Sequence, residues 1–91
     1  MPNFGTINYL MEAKKQARKI GVDVEYSKNK NKKLDVFKND KKVGSIGGDP
    51  RKYSDFIQHK DPNRRKLYKL RHEKYRNIKN TNSYFADKIL W

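Results

Sequence analysis

Residues Asp61–Ile78 read DPNRRKLYKLRHEKYRNI. Asp61 is a good N-cap, and Pro62 suits the first helical position, where its missing N–H costs nothing. Placed at about 100° per residue, Leu67, Leu70, Tyr75 and Ile78 fall on one side, with Tyr68 at its edge. Arg65, Lys69, His72 and Arg76 follow i, i+4, i+7 and i+11 on the other side. The spacing predicts a helix over Asp61–Ile78 that docks its apolar face on a core and opens its basic face. A polyanion is the simplest partner for three permanent charges and a histidine in a stripe. A solvated amphipathic helix is the plain alternative.

The surrounding composition favours the polyanion. The chain has 91 residues, enough for one domain and a modest core but not a large enclosed pocket. It carries 23 Lys+Arg against 10 Asp+Glu, a formal charge of +13. Residues 51–91 hold twelve of the basic and four of the acidic side chains, so +8 of that charge sits in the C-terminal part. Hydrophobic residues make up only 34%, which approaches disordered composition, but six Tyr, four Phe and one Trp argue for a folded domain. There is no cysteine, which excludes disulfides and thiolate metal sites. No apolar run reaches membrane-spanning length and no signal peptide is visible.

Outward from the central stretch, residues 1–5 read as a loose end and residues 6–91 as a single small basic domain. Thr6 caps a helix to about Ile20, with Leu10, Ala13, Ala17 and Ile20 on one side and Gly21 as its C′ residue. Val22–Ser27 alternates as a half-buried strand should, with Val22, Val24 and Tyr26 inward. Lys28–Lys33 is a basic turn. Leu34–Lys38 and Lys42–Ile46 form a hairpin with Asn39-Asp40 at its tip. Leu34 and Val36 face the core, and Phe37 points to the other face. Val43 and Ile46 have opposite parity, so a bulge is expected near Gly44. Gly47-Gly48-Asp49-Pro50 is a plain turn that lacks the spacing of a nucleotide-binding fingerprint. Lys52–His59 is a short helical or irregular segment anchored by Tyr53, Phe56 and Ile57. Ser83 caps a terminal helix over Tyr84–Trp91. The fold class is α+β, a three-stranded antiparallel sheet covered by helices in the order α-β-β-β-α-α. That order resembles the double-stranded RNA-binding domain at the level of topology, without the small residues that pack that domain's second helix.

Catalysis has little support. His59 and His72 are the two histidines, and neither sits in a metal-binding spacing. Asp35, Asp40, Asp49, Asp55 and Asp61 are scattered, each with a turn or cap role, and Ser45 and Ser54 have no visible base. The expectation is a non-enzymatic protein with no metal, cofactor or small-molecule ligand. Arg64, Arg65 and Lys66 stand at a helix start, where the dipole disfavours cations, so a phosphate held by free N–H groups is a natural compensation. The expected contact set is Arg64, Arg65, Lys66, Lys69, Arg71, His72 and Arg76, joined by Lys30, Lys32 and Lys33 of the basic turn. A buried ion pair with Asp87 or another carboxylate is the structural alternative for Arg71. Tyr84, Phe85, Leu90 and Trp91 are expected either to dock or to anchor in a neighbouring protein.

The run Arg64-Arg65-Lys66-Leu67-Tyr68, then Arg71-His72-Glu73-Lys74, Arg76-Asn77, Tyr84, Ala86-Asp87-Lys88 and Ile89-Leu90-Trp91 carries a family resemblance. With Tyr53-Ser54-Asp55-Phe56 and the strand around Asp35-Val36-Phe37, it resembles an uncharacterised family of small basic proteins of large double-stranded DNA viruses of eukaryotes. The resemblance spans about residues 22–91. It implies a viral source and a place in the virion or the infected-cell cytoplasm or nucleus, and it supplies no mechanism. The expected function is backbone binding of nucleic acid, duplex DNA favoured, in genome packaging. The alternative is a minor capsid or core protein cementing larger virion proteins. No membrane partner is expected.

Overall fold

The computed structural model describes residues 8–49 and 52–91. The expected loose end at residues 1–5, the Thr6 cap and Pro50 lie outside the described residues. The elements run α1 (Tyr9–Lys19), β1 (Asp23–Tyr26), β2 (Leu34–Lys38), β3 (Lys41–Ile46), α2 (Phe56–His59), α3 (Pro62–Arg71) and α4 (Asn82–Ile89). This is the expected α+β fold, with one additional short helix, and its strands form a single antiparallel sheet ordered β1-β2-β3.

One face of the sheet carries the core. Val24, Leu34, Val36 and Ile46 meet Ala13 and Ala17 of α1 and Phe85, Ile89 and Leu90 near the C-terminus. α1 lies on β1, α4 lies on β3, and the two helices touch. The small alanines let α1 approach closely, and burial of these apolar side chains is the main favourable term. Gly21 leaves α1 at φ +77°, the left-handed C′ conformation its position predicts. Tyr9 is fully buried one position before the expected apolar face, and its hydroxyl donates to Asp55 at 2.5 Å. Burial and the Asp55 charge push that phenol well above its ordinary pKa, so it stays a donor.

The hairpin follows its sequence. Asn39 and Asp40 both have positive φ, 53° and 64°, as a two-residue primed turn requires. Val36 pairs with Gly44 and Phe37 with Lys42, which leaves Val43 as the extra residue of a bulge. The bulge restores Ile46 to the core opposite Leu34. A Cβ on Gly44 would collide with the Asn82 side chain, so α4 rests directly on strand backbone there.

The central stretch departs from its expected form in two ways. First, the α-helix ends at Arg71, and residues 72–80 form successive turns. Bonds from Glu73 N–H to Leu70 O, Tyr75 N–H to His72 O and Ile78 N–H to Tyr75 O replace most of the α-helical ladder. Second, the face is reversed. Leu67, Leu70, Tyr75 and Ile78 are half or more exposed, whereas Tyr68, Lys69, His72 and Arg76 turn towards the body. The sheet face is already covered by α1 and α4, so no apolar surface remains for the leucines of α3. That helix instead docks by stacking Tyr68 on Trp91, ring centroids 4.3 Å apart, and by ion pairs to α4.

α4 is capped by Thr81 rather than Ser83. The Thr81 hydroxyl accepts from Tyr84 N–H at 3.2 Å and donates to Ile78 O at 2.8 Å, so both its capacities are used. Phe85 and Leu90 are buried in the chain's own core, which removes them as anchors for a neighbour. Tyr84 and Trp91 are partly buried against the same core. No helix among the described residues is long and apolar enough to cross a membrane.

Candidate nucleic-acid interface

Two buried carboxylates decide which cations the fold keeps for itself. Lys33, expected in an open basic turn, is 1% exposed. Its ammonium lies 2.9 Å from Asp55 and 2.5 Å from the Gln58 side-chain oxygen. Asp55 is also the N-cap of α2, in a capping box completed by Gln58. Gly47, at φ +83°, makes room for this lysine, because a Cβ there would press on the Lys33 stem at 2.8 Å. Lys33 therefore leaves the candidate contact set, since a buried cation unpaired from Asp55 would cost several kcal/mol, about 3–5.

Asp87 is the second buried carboxylate. Lys69 Nζ lies 2.9 Å from one oxygen, and Lys88 Nζ and Arg76 Nη1 lie 3.0 Å and 3.5 Å from the other. Burial pushes the Asp87 carboxyl up, but hydrogen bonds from Lys69 and Lys88 outweigh it and hold it below the ordinary carboxylate range. Lys69 and Arg76 are thus turned inward. Arg65 is also engaged, with Nε 2.6 Å from the Trp91 main-chain oxygen and its guanidinium 4.9 Å above the Phe56 ring. The expected Arg65–Lys69–His72–Arg76 stripe is therefore a docking face, and no continuous basic track runs along the helix. His72 stacks on Tyr68 at 4.1 Å. Arg71 is exposed and has no carboxylate partner among the described residues, so Asp87 does not claim it.

The free N–H groups expected at the start of α3 are already taken. Asp61 accepts from Asn63 N–H at 2.9 Å and Arg64 N–H at 3.4 Å. The local cost of Arg64, Arg65 and Lys66 at a helix start is met by this carboxylate. Asp61 N–H in turn donates to His59 Nδ1 at 3.0 Å. Burial, and then the Arg64 charge, lower the His59 pKa, which keeps this imidazole an acceptor at neutral pH.

A different cation set converges elsewhere. A cleft of about 640 Å³ opens between the Gly47-Gly48 turn, α3 and α4. Lys32, Lys33, Lys52, Arg64 and Arg71 line it against one carboxylate, Asp55, which Lys33 already neutralises. Tyr53, Leu67, Tyr68 and Trp91 supply its apolar surface. Burial and then the Asp87 charge push Tyr68 up to about 12, so its hydroxyl is neutral in the physiological range. Of the expected contact residues, the structure brings Lys32, Arg64, Arg71 and His72 to this cleft, while Lys30 and Lys66 are exposed outside it. Lys52 and Tyr53 were not expected as contacts. Tyr53 is 63% exposed rather than an anchor, and its neighbour in space, Gly48, carries no sequence sign of that role. Among the described residues, no three His, Cys, Asp or Glu side chains converge as a metal site.

Comparison with known proteins finds no match among curated proteins or solved structures. One family profile matches residues 22–72, from the start of β1 through α3, which includes the glycine turn and the Arg64 and Arg71 side of the cleft. That span exceeds half of the chain, which therefore belongs to the family of unknown function DUF5754.

Proposed function

We propose that this protein binds nucleic acid through backbone phosphates, without catalytic turnover. One observation carries the reading. Among the described residues, the cleft gathers five basic side chains around one carboxylate, and that carboxylate is internally paired. Arg64, Arg71, Lys52 and Lys32 have no carboxylate partner among the described residues, so their charges face solvent or a ligand. At a net charge of +13 the folded chain repels itself, and a polyanion relieves that repulsion. The likeness of the C-terminal part to small basic proteins of large DNA viruses supports genome packaging as the setting.

Counterion release makes the test direct. Fluorescence anisotropy of labelled single-stranded and duplex DNA, measured across a salt series, is expected to give a log–log slope steeper than about −2 for at least one form. A slope near zero, or complete displacement by an equal concentration of polyglutamate, would mean that the charge is generic and would overturn the reading.

A second reading rests on a separate feature. Leu67, Leu70, Tyr75 and Ile78 are half or more exposed within one stretch, where Lys66, Lys74 and Lys79 are exposed too. Exposed apolar side chains among lysines suit a minor capsid or core protein that docks on an acidic, partly apolar neighbour. In that case Leu70→Ser with Ile78→Ser, neither of which lines the cleft, abolishes assembly and leaves nucleic-acid binding intact.

A further inference from the structure

We infer that the cleft accepts an unpaired nucleotide, so that the preferred ligand is single-stranded nucleic acid with a base seated beside Tyr53. The inference rests on the phosphate-binding reading and narrows it. A site for duplex backbone alone needs cations along an extended track and no aromatic surface. Along the α3 stripe that track is missing, because Lys69, Arg76 and Lys88 are drawn to Asp87. Four open cations, Lys32, Lys52, Arg64 and Arg71, instead line a concavity whose volume, about 640 Å³, falls in the range of small-molecule sites.

Tyr53 is the residue that distinguishes a base site from a phosphate site. A Cβ on Gly48 would lie 2.7 Å from the Tyr53 ring, so this ring packs on glycine backbone. The side chain is nevertheless 63% exposed at the cleft lining. A large aromatic held from one side and otherwise open is what base stacking uses, and every base offers a π-face, so recognition tolerates any sequence. Leu67, 56% exposed, adds apolar surface in the same cleft. Arg64, Arg71 and Lys52 supply charge for the phosphates on either side of the seated base. Duplex DNA keeps its bases stacked inside and cannot fill the concavity without unpairing.

Trp91 is the single tryptophan of the chain and lines the cleft, so its fluorescence reports on occupancy. The test titrates the full chain with a ten-residue oligothymidylate, the matching oligouridylate, an abasic phosphodiester of equal length and a blunt duplex. The expected result is Trp91 quenching by both base-bearing strands and affinity about tenfold or more above the abasic chain and the duplex. Tyr53→Ala should reduce the base-bearing strands to the affinity of the abasic chain and leave duplex binding unchanged. Gly48→Ala, which crowds the Tyr53 ring, should act in the same direction. Equal affinity for abasic and base-bearing strands, or duplex as the tightest ligand, overturns the base site while phosphate binding stands. No binding by any of the four overturns both.

Discussion

Eight of the 23 basic side chains fall into two contrasting populations, and the contrast between them explains more than the total charge. Lys33, Lys69, Arg76 and Lys88 are committed to Asp55 and Asp87, two carboxylates that are almost completely buried. Lys32, Lys52, Arg64 and Arg71 are left open around the cleft. The first population closes the fold and the second offers charge to a ligand. Buried pairs contribute specificity of arrangement more than net stability, whereas an open cation beside an aromatic cleft costs self-repulsion and gains only when an anion binds. The contrast therefore predicts opposite consequences for removing members of each set.

The largest effect belongs to Lys33. Its partner Asp55 has a side chain only 3% exposed, so Lys33→Met strands a buried carboxylate. Chemical denaturation is expected to show a loss of about 3–5 kcal/mol. A loss under about 1 kcal/mol would mean that Asp55 is adequately held by Tyr9 and Gln58 alone, and would blur the distinction between the two populations.

Asp87 comes next. Asp87→Asn leaves Lys69, Arg76 and Lys88 facing a neutral group, with an expected loss of about 2 kcal/mol, reduced because the three cations remain partly solvated. The folded-state pKa of Asp87 lies below its ordinary value. Its contribution is therefore complete above the unfolded carboxylate value, about 3.9, and is lost as pH falls through the lower folded value. A pH series of denaturation midpoints should accordingly show a shallower acid limb in Asp87→Asn, with the remaining slope carried by Asp23 and Asp35, which are also depressed. An unchanged acid limb would remove Asp87 as the organising charge of α3 and α4.

Most local turn chemistry was legible in the sequence, the Thr81 cap of α4 and the early end of α3 excepted, and long-range pairing was not. The Asn39-Asp40 turn, the bulge beside Gly44, the Gly21 helix exit and the Asp61 cap each depend on a few neighbouring residues, and each appears where those residues place it. The orientation of α3 depends on competition for a core that α1 and α4 had already filled. An amphipathic pattern identifies two faces but does not say which one docks, and here Asp87 and Trp91 chose the basic one. Lys33 looked like one more lysine in KNKNKK because its partner lies 22 residues away. Of the cleft, Lys32, Arg64 and Arg71 were visible as charge, whereas Lys52 and Tyr53 join it only through the path of the glycine turn.

The open population is expected to have the smallest effect on stability and the largest on binding. The decisive measurement compares Arg64→Ala/Arg71→Ala with Lys69→Ala/Arg76→Ala, each shown folded by circular dichroism, in salt-dependent anisotropy on a 20-residue oligothymidylate. The first pair should keep its denaturation midpoint, weaken binding, and flatten the log–log slope by about 1.4, as two lost phosphate contacts on a single strand require. The second pair should lower the midpoint and leave the slope unchanged. A slope that survives the loss of Arg64 and Arg71 but collapses without Lys69 and Arg76 would return the ligand to the helix stripe and contradict the division of cations made by Asp55 and Asp87.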